Sequence, residues 1–167
     1  MWPFKQIAYF IREWRSLRVC NTVGEYITYV TEKLKTPEKV AWWVNQTVFY
    51  DDKEDPPRWD DIPVILKRKK GNCTELSALT RYGLECLPGY ITANLCVYGI
   101  NERGKPKGHA VCAFTHDGEN GFIDGGKVHY FAGSMEWLTM ARTVRPGWIN
   151  IRIRWKTDTG KQAVGLP

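Results

Sequence analysis

The first third of the chain carries apolar residues at helical spacing, separated by charged and polar positions. An amphipathic helix is predicted over residues 4–19 by Ile7, Phe10, Ile11, Trp14 and Leu17. Thr22 followed by Glu25 is a capping-box pattern, which opens a second helix that extends to about Leu34. Thr36-Pro37-Glu38 then places an N-cap, a proline and an acid at the start of a third helix.

Two more helices are predicted in the middle of the chain, after a polar loop over residues 51–61. A short helix is expected over 63–70, where a run of four basic residues is followed by Gly71. We interpret the run as last-turn cations, with Gly71 as the residue that terminates the helix. Asn72, with a glutamate three positions later, then caps a helix over 73–85.

After Pro88-Gly89 the pattern changes to a period of two, with the β-branched and aromatic residues typical of strands. Strands are predicted over residues 90–100, 109–116, 121–124 with a continuation at 128–131, and 148–155. Ser134 is expected to cap a short helix over 135–141 before the last strand. Helices followed by antiparallel strands predict an α+β protein, with N-terminal helices packed on an antiparallel β-sheet.

The composition is that of a soluble globular protein, with 43% hydrophobic and 25% charged residues. A net charge of +6 permits attraction to anionic partners but selects none of them. Nucleic-acid binding is not expected, because no aromatic stacking motif interleaves with the basic run. A membrane span is not expected either, because no stretch approaches the ~20 apolar residues that a bilayer requires.

The N-terminal residues lack the pattern of a secretion signal, since charged residues interrupt the apolar positions. We therefore expect a cytoplasmic protein, or a virion-associated one if the chain is phage-encoded. The five cysteines are an odd number without a CxxC pair, which argues against a disulfide framework and a structural zinc site. We expect neither a metal nor a cofactor.

Cys73 stands where physical chemistry would place a nucleophile. As the first residue of a capped helix, it lies in the field of backbone N–H groups that have no partner within the helix. Such a position lowers the pKa of a thiol and so raises its thiolate fraction at neutral pH. A buried cysteine at a helix start, with no chemical role, is the alternative interpretation of this residue alone.

His109 and Asp124 make the catalytic interpretation stronger. His109 begins a predicted strand and Asp124 ends the next one, so a turn at 117–120 would let the two pair across the strands. A carboxylate there would fix the tautomer of the imidazole, whose other nitrogen would face the thiol. His116 and His129 are competing candidates for the base, but both are interpreted as surface or edge residues.

These residues resemble the transglutaminase-like superfamily of papain-related thiol enzymes. The resemblance lies in Gly71-Asn72-Cys73-Thr74-Glu75-Leu76-Ser77-Ala78-Leu79, Gly108-His109-Ala110-Val111 and Phe122-Ile123-Asp124. In that family a helix-starting cysteine, a strand histidine and an aspartate on the next strand follow in this order. The resemblance covers about residues 40–131 and implies a papain/transglutaminase-like core with the catalytic triad Cys73, His109 and Asp124.

The family motif does not identify a second group that would stabilise an oxyanion. Gln46, Trp59 and Asn72 each have a donor side chain and are the candidates. Each also has a simpler interpretation: a helix-surface amide for Gln46, a core aromatic for Trp59 and an N-cap for Asn72.

A chain of 167 residues fits one ordinary domain, which we expect over residues 1–157. A helical N-terminal extension is expected over 1–35, a catalytic core over 36–131, and a short helix with a closing strand over 132–157. Residues 158–167 are expected to form a flexible tail.

The expected activity is acyl transfer on amide or peptide bonds, with hydrolysis favoured over transamidation by analogy with small bacterial relatives. The substrate would be a peptide, a protein or a peptidoglycan peptide. A second hypothesis is a phage virion or assembly component that uses the fold as a binding module. In that case the aromatic helix at residues 4–19 would dock to an assembly partner, although packing on its own core is the simpler interpretation.

Overall fold

The computed structural model describes residues 18–51, 61–131 and 137–156. Five α-helices are seen in these ranges: α1 (Val23–Tyr29, extended by a π-helical turn at Val30–Leu34), α2 (Pro37–Thr47), α3 (Ile62–Arg68), α4 (Cys73–Glu85) and α5 (Trp137–Val144). The strands are β1 (Phe49–Tyr50), β2 (Lys70–Gly71), β3 (Ile91–Ile100), β4 (Pro106–His116), β5 (Glu119–Asp124), β6 (Lys127–Phe131) and β7 (Ile149–Lys156).

Several predicted features lie outside the described residues. They include most of the polar loop with Trp59, the cap at Ser134 and the tail over 158–167. Of the predicted helix over 4–19, only residues 18 and 19 are described, and they are not helical. The partner-docking role of residues 4–19 therefore stays a prediction.

The main sheet has five strands in the order β6-β5-β4-β3-β7, and each strand runs antiparallel to its neighbours. A two-residue turn joins β4 to β5, and both Asp117 (φ 49°) and Gly118 (φ 81°) adopt the left-handed backbone that such tight hairpins require. The α+β class is confirmed, with the helices of the first half preceding the sheet in sequence.

Alternation along the strands divides the core into two parts on opposite faces of the sheet. Val111 and Phe122 face α5, where they join Met140 and other apolar side chains. Their neighbours Cys112 and Ile123 point to the opposite face and pack with residues of α1 to α4. The sheet is thus covered by helices on both sides, and α4 lies against β3 and β4.

The predicted end of the short basic helix is wrong. The helix α3 ends at Arg68, and Lys69 rather than Gly71 adopts the left-handed conformation after it (φ 55°). The next two residues are then free to form β2, which pairs in parallel with β1. That pairing brings β1 beside the start of α4, because Gly71 is followed immediately by the cap residue of that helix.

Two boundaries in the second half differ from the predictions by three residues. Strand β4 begins at Pro106, three residues before the predicted start, because its ladder with β3 continues to the pair Ile100 and Pro106. Helix α5 ends at Val144, three residues beyond the predicted end. Within residues 18–51, 61–131 and 137–156, no helix has the length and apolar character needed to span a bilayer.

Candidate active site

The N-terminus of α4 is closed by a capping box, and Cys73 is its first residue. The side-chain oxygen of Asn72 accepts hydrogen bonds from the backbone N–H groups of Thr74 (3.0 Å) and Glu75 (3.2 Å). The carboxylate of Glu75 in turn accepts from the N–H of Asn72 at 2.9 Å. Two of the N–H groups exposed at the helix start are therefore used by the cap, as the sequence predicts.

The capping carboxylate is itself held from a second side. The guanidinium of Arg68, at the end of α3, donates to both oxygens of Glu75 at 2.8 and 2.9 Å. The side chain of Glu75 is only 1% exposed, so the ion pair fixes a buried carboxylate under the start of α4. The position of Cys73 is thus set by contacts from two helices.

The thiol of Cys73 is half-buried and hydrogen-bonds the imidazole of His109. Burial, the largest single influence, raises the pKa of Cys73. The hydrogen bond and positive charge of His109, the backbone N–H of Ala110 and the side chain of Thr74 outweigh burial and bring the pKa below its ordinary value. The environment therefore favours the thiolate.

His109 lies between the thiol and a carboxylate. Its Nε2 is 2.7 Å from Oδ1 of Asp124, which leaves Nδ1 as the nitrogen for Cys73. Burial, the largest influence, lowers the pKa of His109, but the bonds to Asp124 and Cys73 outweigh it and raise the pKa above its ordinary value. The pKa of the thiol and that of the imidazole thus shift in the directions that favour a thiolate–imidazolium pair.

The predicted direct pairing of His109 with Asp124 across the hairpin is wrong in register, although the two side chains do meet. The β4–β5 ladder pairs Cys112 with Ile123, and its continuation by one step places Asp124 opposite Val111. His109 is therefore a diagonal neighbour of Asp124, a relation within reach of a long side chain. The two-residue turn at Asp117 and Gly118 sets this register, and a four-residue turn over 117–120 would have placed Asp124 opposite Ala113, two residues farther from His109.

A fourth charged residue, Arg145, completes this cluster and was missed by the sequence analysis. It follows α5 directly, and its Nη1 is 3.1 Å from Oδ2 of Asp124. Burial, the largest influence, raises the pKa of Asp124, but His109 and Arg145 together hold it below its ordinary value. No local pattern marks Arg145, because the contact depends on how α5 packs on the sheet.

A cavity of about 240 Å³ opens beside the thiol. Its wall combines the charged cluster with apolar and hydroxyl side chains, and the lining residues are Val44, Tyr50, Cys73, Leu76, Ser77, Thr80, His109, Ala110, Ile123, Asp124, Gly125 and Arg145. The cavity follows one face of α4, where positions 73, 76, 77 and 80 lie above one another. A substrate group that enters it would lie against the sulfur.

The three predicted oxyanion side chains do not come together at this cavity. Gln46 is exposed on α2 and does not line the cavity, and Trp59 lies outside the described residues. Asn72 is 5% exposed and caps α4, as its simpler interpretation predicts. Within the described part of the chain, the backbone N–H of Cys73 itself has no acceptor, whereas those of Thr74 and Glu75 are bonded to the cap.

The competing histidines lie away from the cavity lining. His116 stacks on Tyr90 with 4.1 Å between the ring centroids, and His129 stacks on Phe122 at 4.5 Å. Among the other cysteines, burial raises the pKa of Cys112 far above its ordinary value, and burial also raises that of Cys86. Of Cys20, Cys73, Cys86 and Cys112, Cys73 is thus the one whose surroundings lower its pKa.

No protein-family model matches the chain, and no curated protein matches it significantly. Solved structures do match, at low sequence identity. LapG from Legionella pneumophila is 17% identical, with a TM-score of 0.50 over 75% of this chain and 67% of LapG. A "TGase" is 18% identical (TM-score 0.42, 80% of this chain and 42% of that one). A candidate cysteine protease from Cytophaga hutchinsonii is 12% identical (TM-score 0.48, 83% and 53%).

The chain shares the fold of LapG, of which it spans about two thirds, and it spans about half or less of the other two proteins. In chemical terms, the site holds a thiol of lowered pKa, a histidine that can carry its proton, and a carboxylate that orients the histidine. These groups lie at the wall of a cavity that a small part of a substrate can enter.

Proposed function

We propose that this protein catalyses thiol-dependent acyl transfer on amide or peptide bonds, with hydrolysis as the principal outcome. The observation that supports it best is the chain of hydrogen bonds from the Cys73 thiol through the His109 imidazole to the Asp124 carboxylate. A nucleophile, a base and a group that orients the base, in that sequence, are what nucleophilic catalysis requires. A peptide, a protein or a peptidoglycan peptide would supply the amide.

In the first half of the reaction, the Cys73 thiolate attacks the carbonyl carbon of the amide and forms a carbon–sulfur bond. The carbonyl π-electrons move to the oxygen, and the Cys73 N–H at the start of α4 is a donor available to that oxyanion. The tetrahedral intermediate collapses as His109 gives its proton to the leaving nitrogen. An amine departs, and the acyl group remains on sulfur as a thioester.

In the second half, neutral His109 accepts a proton from the attacking water, and Asp124 holds the imidazole in place. The water oxygen bonds to the acyl carbon, the carbon–sulfur bond breaks, and a carboxylic acid leaves while the thiolate and imidazolium are restored. A primary amine in place of water would give transamidation by the same steps. Hydrolysis is proposed because water is the acceptor present in greatest excess at a cavity open to solvent.

The experiment that tests this proposal is the trapping of the thioester. The full chain is mixed with an aryl acetate, quenched in acid, and examined by intact-mass and peptide mass spectrometry. One acetyl group on Cys73 is expected, together with release of the aryl alcohol over many turnovers. Cys73→Ser should give no thioester, and His109→Ala should slow acylation by a factor of about 10² to 10⁴.

Cys86→Ser is the matched control, because this half-buried thiol donates to a backbone carbonyl and has a raised pKa. The variant should acylate as fast as the parent. Acetylation spread equally over several cysteines, or none on Cys73, would contradict the proposal. Addition of a simple primary amine then separates the two acceptors: an unchanged yield of free acid supports hydrolysis, whereas conversion to the amide supports transamidation.

A further inference from the structure

Arg145 lies at the far end of the charged cluster, and its contacts are specific. Its Nη1 donates both to Oδ2 of Asp124 (3.1 Å) and to the carbonyl of Val144 (2.7 Å). The other oxygen of the same carboxylate, Oδ1, faces His109 at 2.7 Å. The two oxygens of Asp124 are thus held by different donors, so that the carboxylate cannot rotate without losing one of them.

The charges of the site provide a second argument. With the thiol ionised and the imidazole protonated, Cys73, His109 and Asp124 together carry one net negative charge in a largely buried place. The side chains of His109 and Asp124 are 9% and 22% exposed. Arg145 brings the net charge of the four groups to zero, and in surroundings of reduced polarity such compensation matters more than in water.

We propose that Arg145 is a positioning residue for the thiol chemistry. It acts through Asp124, whose carboxylate it orients toward His109, and its positive charge stabilises the site when Cys73 is ionised. This inference rests on the proposed function, because an ionised nucleophile is what the charge would serve. Arg145 itself contacts the aspartate and not the sulfur.

Few other charged groups of the described chain are close to this cluster. Tyr98 on β3 is near enough to Cys73 for their charges to interact. Glu102, in the exposed loop after β3, lies against Gly147, two residues beyond Arg145. Among the described residues, neither hydrogen-bonds Asp124, whose carboxylate is bonded by His109 and Arg145. After His109, the guanidinium of Arg145 is therefore the group whose removal should be felt most at Asp124.

The alternative is that Arg145 merely fastens the end of α5 to β5. A brace of that kind would change the melting temperature but would leave the titration of Cys73 unchanged. The rate of Cys73 alkylation by iodoacetamide, measured against pH on the full chain, separates the two roles, because the rate follows the thiolate fraction. Arg142→Gln is the matched control, since this exposed arginine belongs to the last turn of the same helix.

In Arg145→Gln the midpoint of the rate profile should move upward by roughly 0.5 to 1 pH unit, because loss of a nearby positive charge disfavours the thiolate. Below the midpoint this corresponds to a rate about three- to tenfold lower. The Arg142→Gln profile should coincide with that of the parent. An Arg145→Gln variant with the parent's profile and only a lower melting temperature would overturn the inference.

Arg145→Lys keeps the test decisive if the glutamine variant does not fold. Lysine keeps the positive charge but lacks the planar guanidinium that orients the Asp124 carboxylate. The midpoint of the alkylation profile should therefore stay within about 0.3 pH units of the parent's, while the alkylation rate at its high-pH plateau falls at least about twofold. A lysine variant identical to the parent in both quantities would contradict the positioning role. A parent whose Cys73 shows no enhanced reactivity would instead count against the proposed function itself.

Discussion

His109 and Asp124 meet diagonally across the β4–β5 hairpin, with 2.7 Å between Nε2 and Oδ1, although neither residue is opposite the other in the ladder. The contact fixes which imidazole nitrogen remains for Cys73. Because both side chains are at least three-quarters buried, the pair also links the pH dependence of stability to the geometry of the site.

Asp124→Asn should destabilise the fold most at mildly acid pH. The pKa of Asp124 is lowered from 3.8, so its stabilisation is present above that pH and is lost as the pH falls through the lower, folded value. The pKa of His109 is raised from 6.5, so its contribution is complete below 6.5 and is lost as the pH rises through the folded value. At a pH between the folded-state pKa values of Asp124 and His109, Asp124→Asn should lower the free energy of unfolding, measured in urea, by about 2 kcal/mol.

The exposed pair of His116 and Asp117 provides the control for this experiment. Its ring nitrogen and carboxylate are 3.7 Å apart, and the side chain of Asp117 is 85% exposed. Asp117→Asn should therefore change the free energy of unfolding little at any pH. A cost for Asp124→Asn that is the same at pH 3, pH 5.5 and pH 9 would show that the pair is not charged in the folded protein.

Glu75→Gln should destabilise the protein by about 3 kcal/mol, because it leaves the partly buried guanidinium of Arg68 without its charged partner. The matched control is Glu25→Gln. Glu25 makes the same type of capping box with Thr22 at the start of α1, but on the exposed surface. In urea unfolding, Glu25→Gln should lower the free energy of unfolding much less than Glu75→Gln does. Equal decreases in the two variants would mean that the capping box, and not the ion pair with Arg68, makes Glu75 important.

Two helical glycines should respond in opposite ways to alanine. A Cβ at Gly83 in α4 would come within 2.3 Å of the hydroxyl of Tyr26, which is fully buried and donates to the carbonyl of Leu79. Gly83→Ala should therefore destabilise by about 1 to 3 kcal/mol. Gly24 in α1 has nothing within 4 Å, so Gly24→Ala should stabilise by about 0.5 to 1 kcal/mol. Thermal unfolding of both variants measures the contrast, and a stabilised Gly83→Ala would contradict the close packing of α1 on α4.

The helix starts and the β4–β5 hairpin were predictable because their signals are local. Asn72 and Glu75, three residues apart, specify the cap that holds Cys73, and the turn residues over 117–120 indicate that a hairpin joins the two strands. In both cases the residues that determine the geometry are neighbours in sequence, so no knowledge of the tertiary structure is needed.

The register at His109 and the role of Arg145 were not predictable from the sequence. Whether the turn uses two residues or four shifts the partner of His109 by two positions, and the turn residues are compatible with both. Arg145 is 21 residues from Asp124 and reaches it only after α5 has packed on Val111 and Phe122. The parallel pairing of β1 with β2 was missed for a similar reason, since two-residue strands carry no periodic pattern.

The most direct test of the central claim compares two thiols of the same protein at pH 6. Limited labelling of the full chain with iodoacetamide, followed by peptide mass spectrometry, gives the rates at Cys73 and Cys86. The account predicts that Cys73 reacts at least about tenfold faster than Cys86, and that His109→Ala removes the difference. Equal rates at the two cysteines in the parent, or a rate at Cys73 that His109→Ala leaves unchanged, would contradict a nucleophile activated by His109.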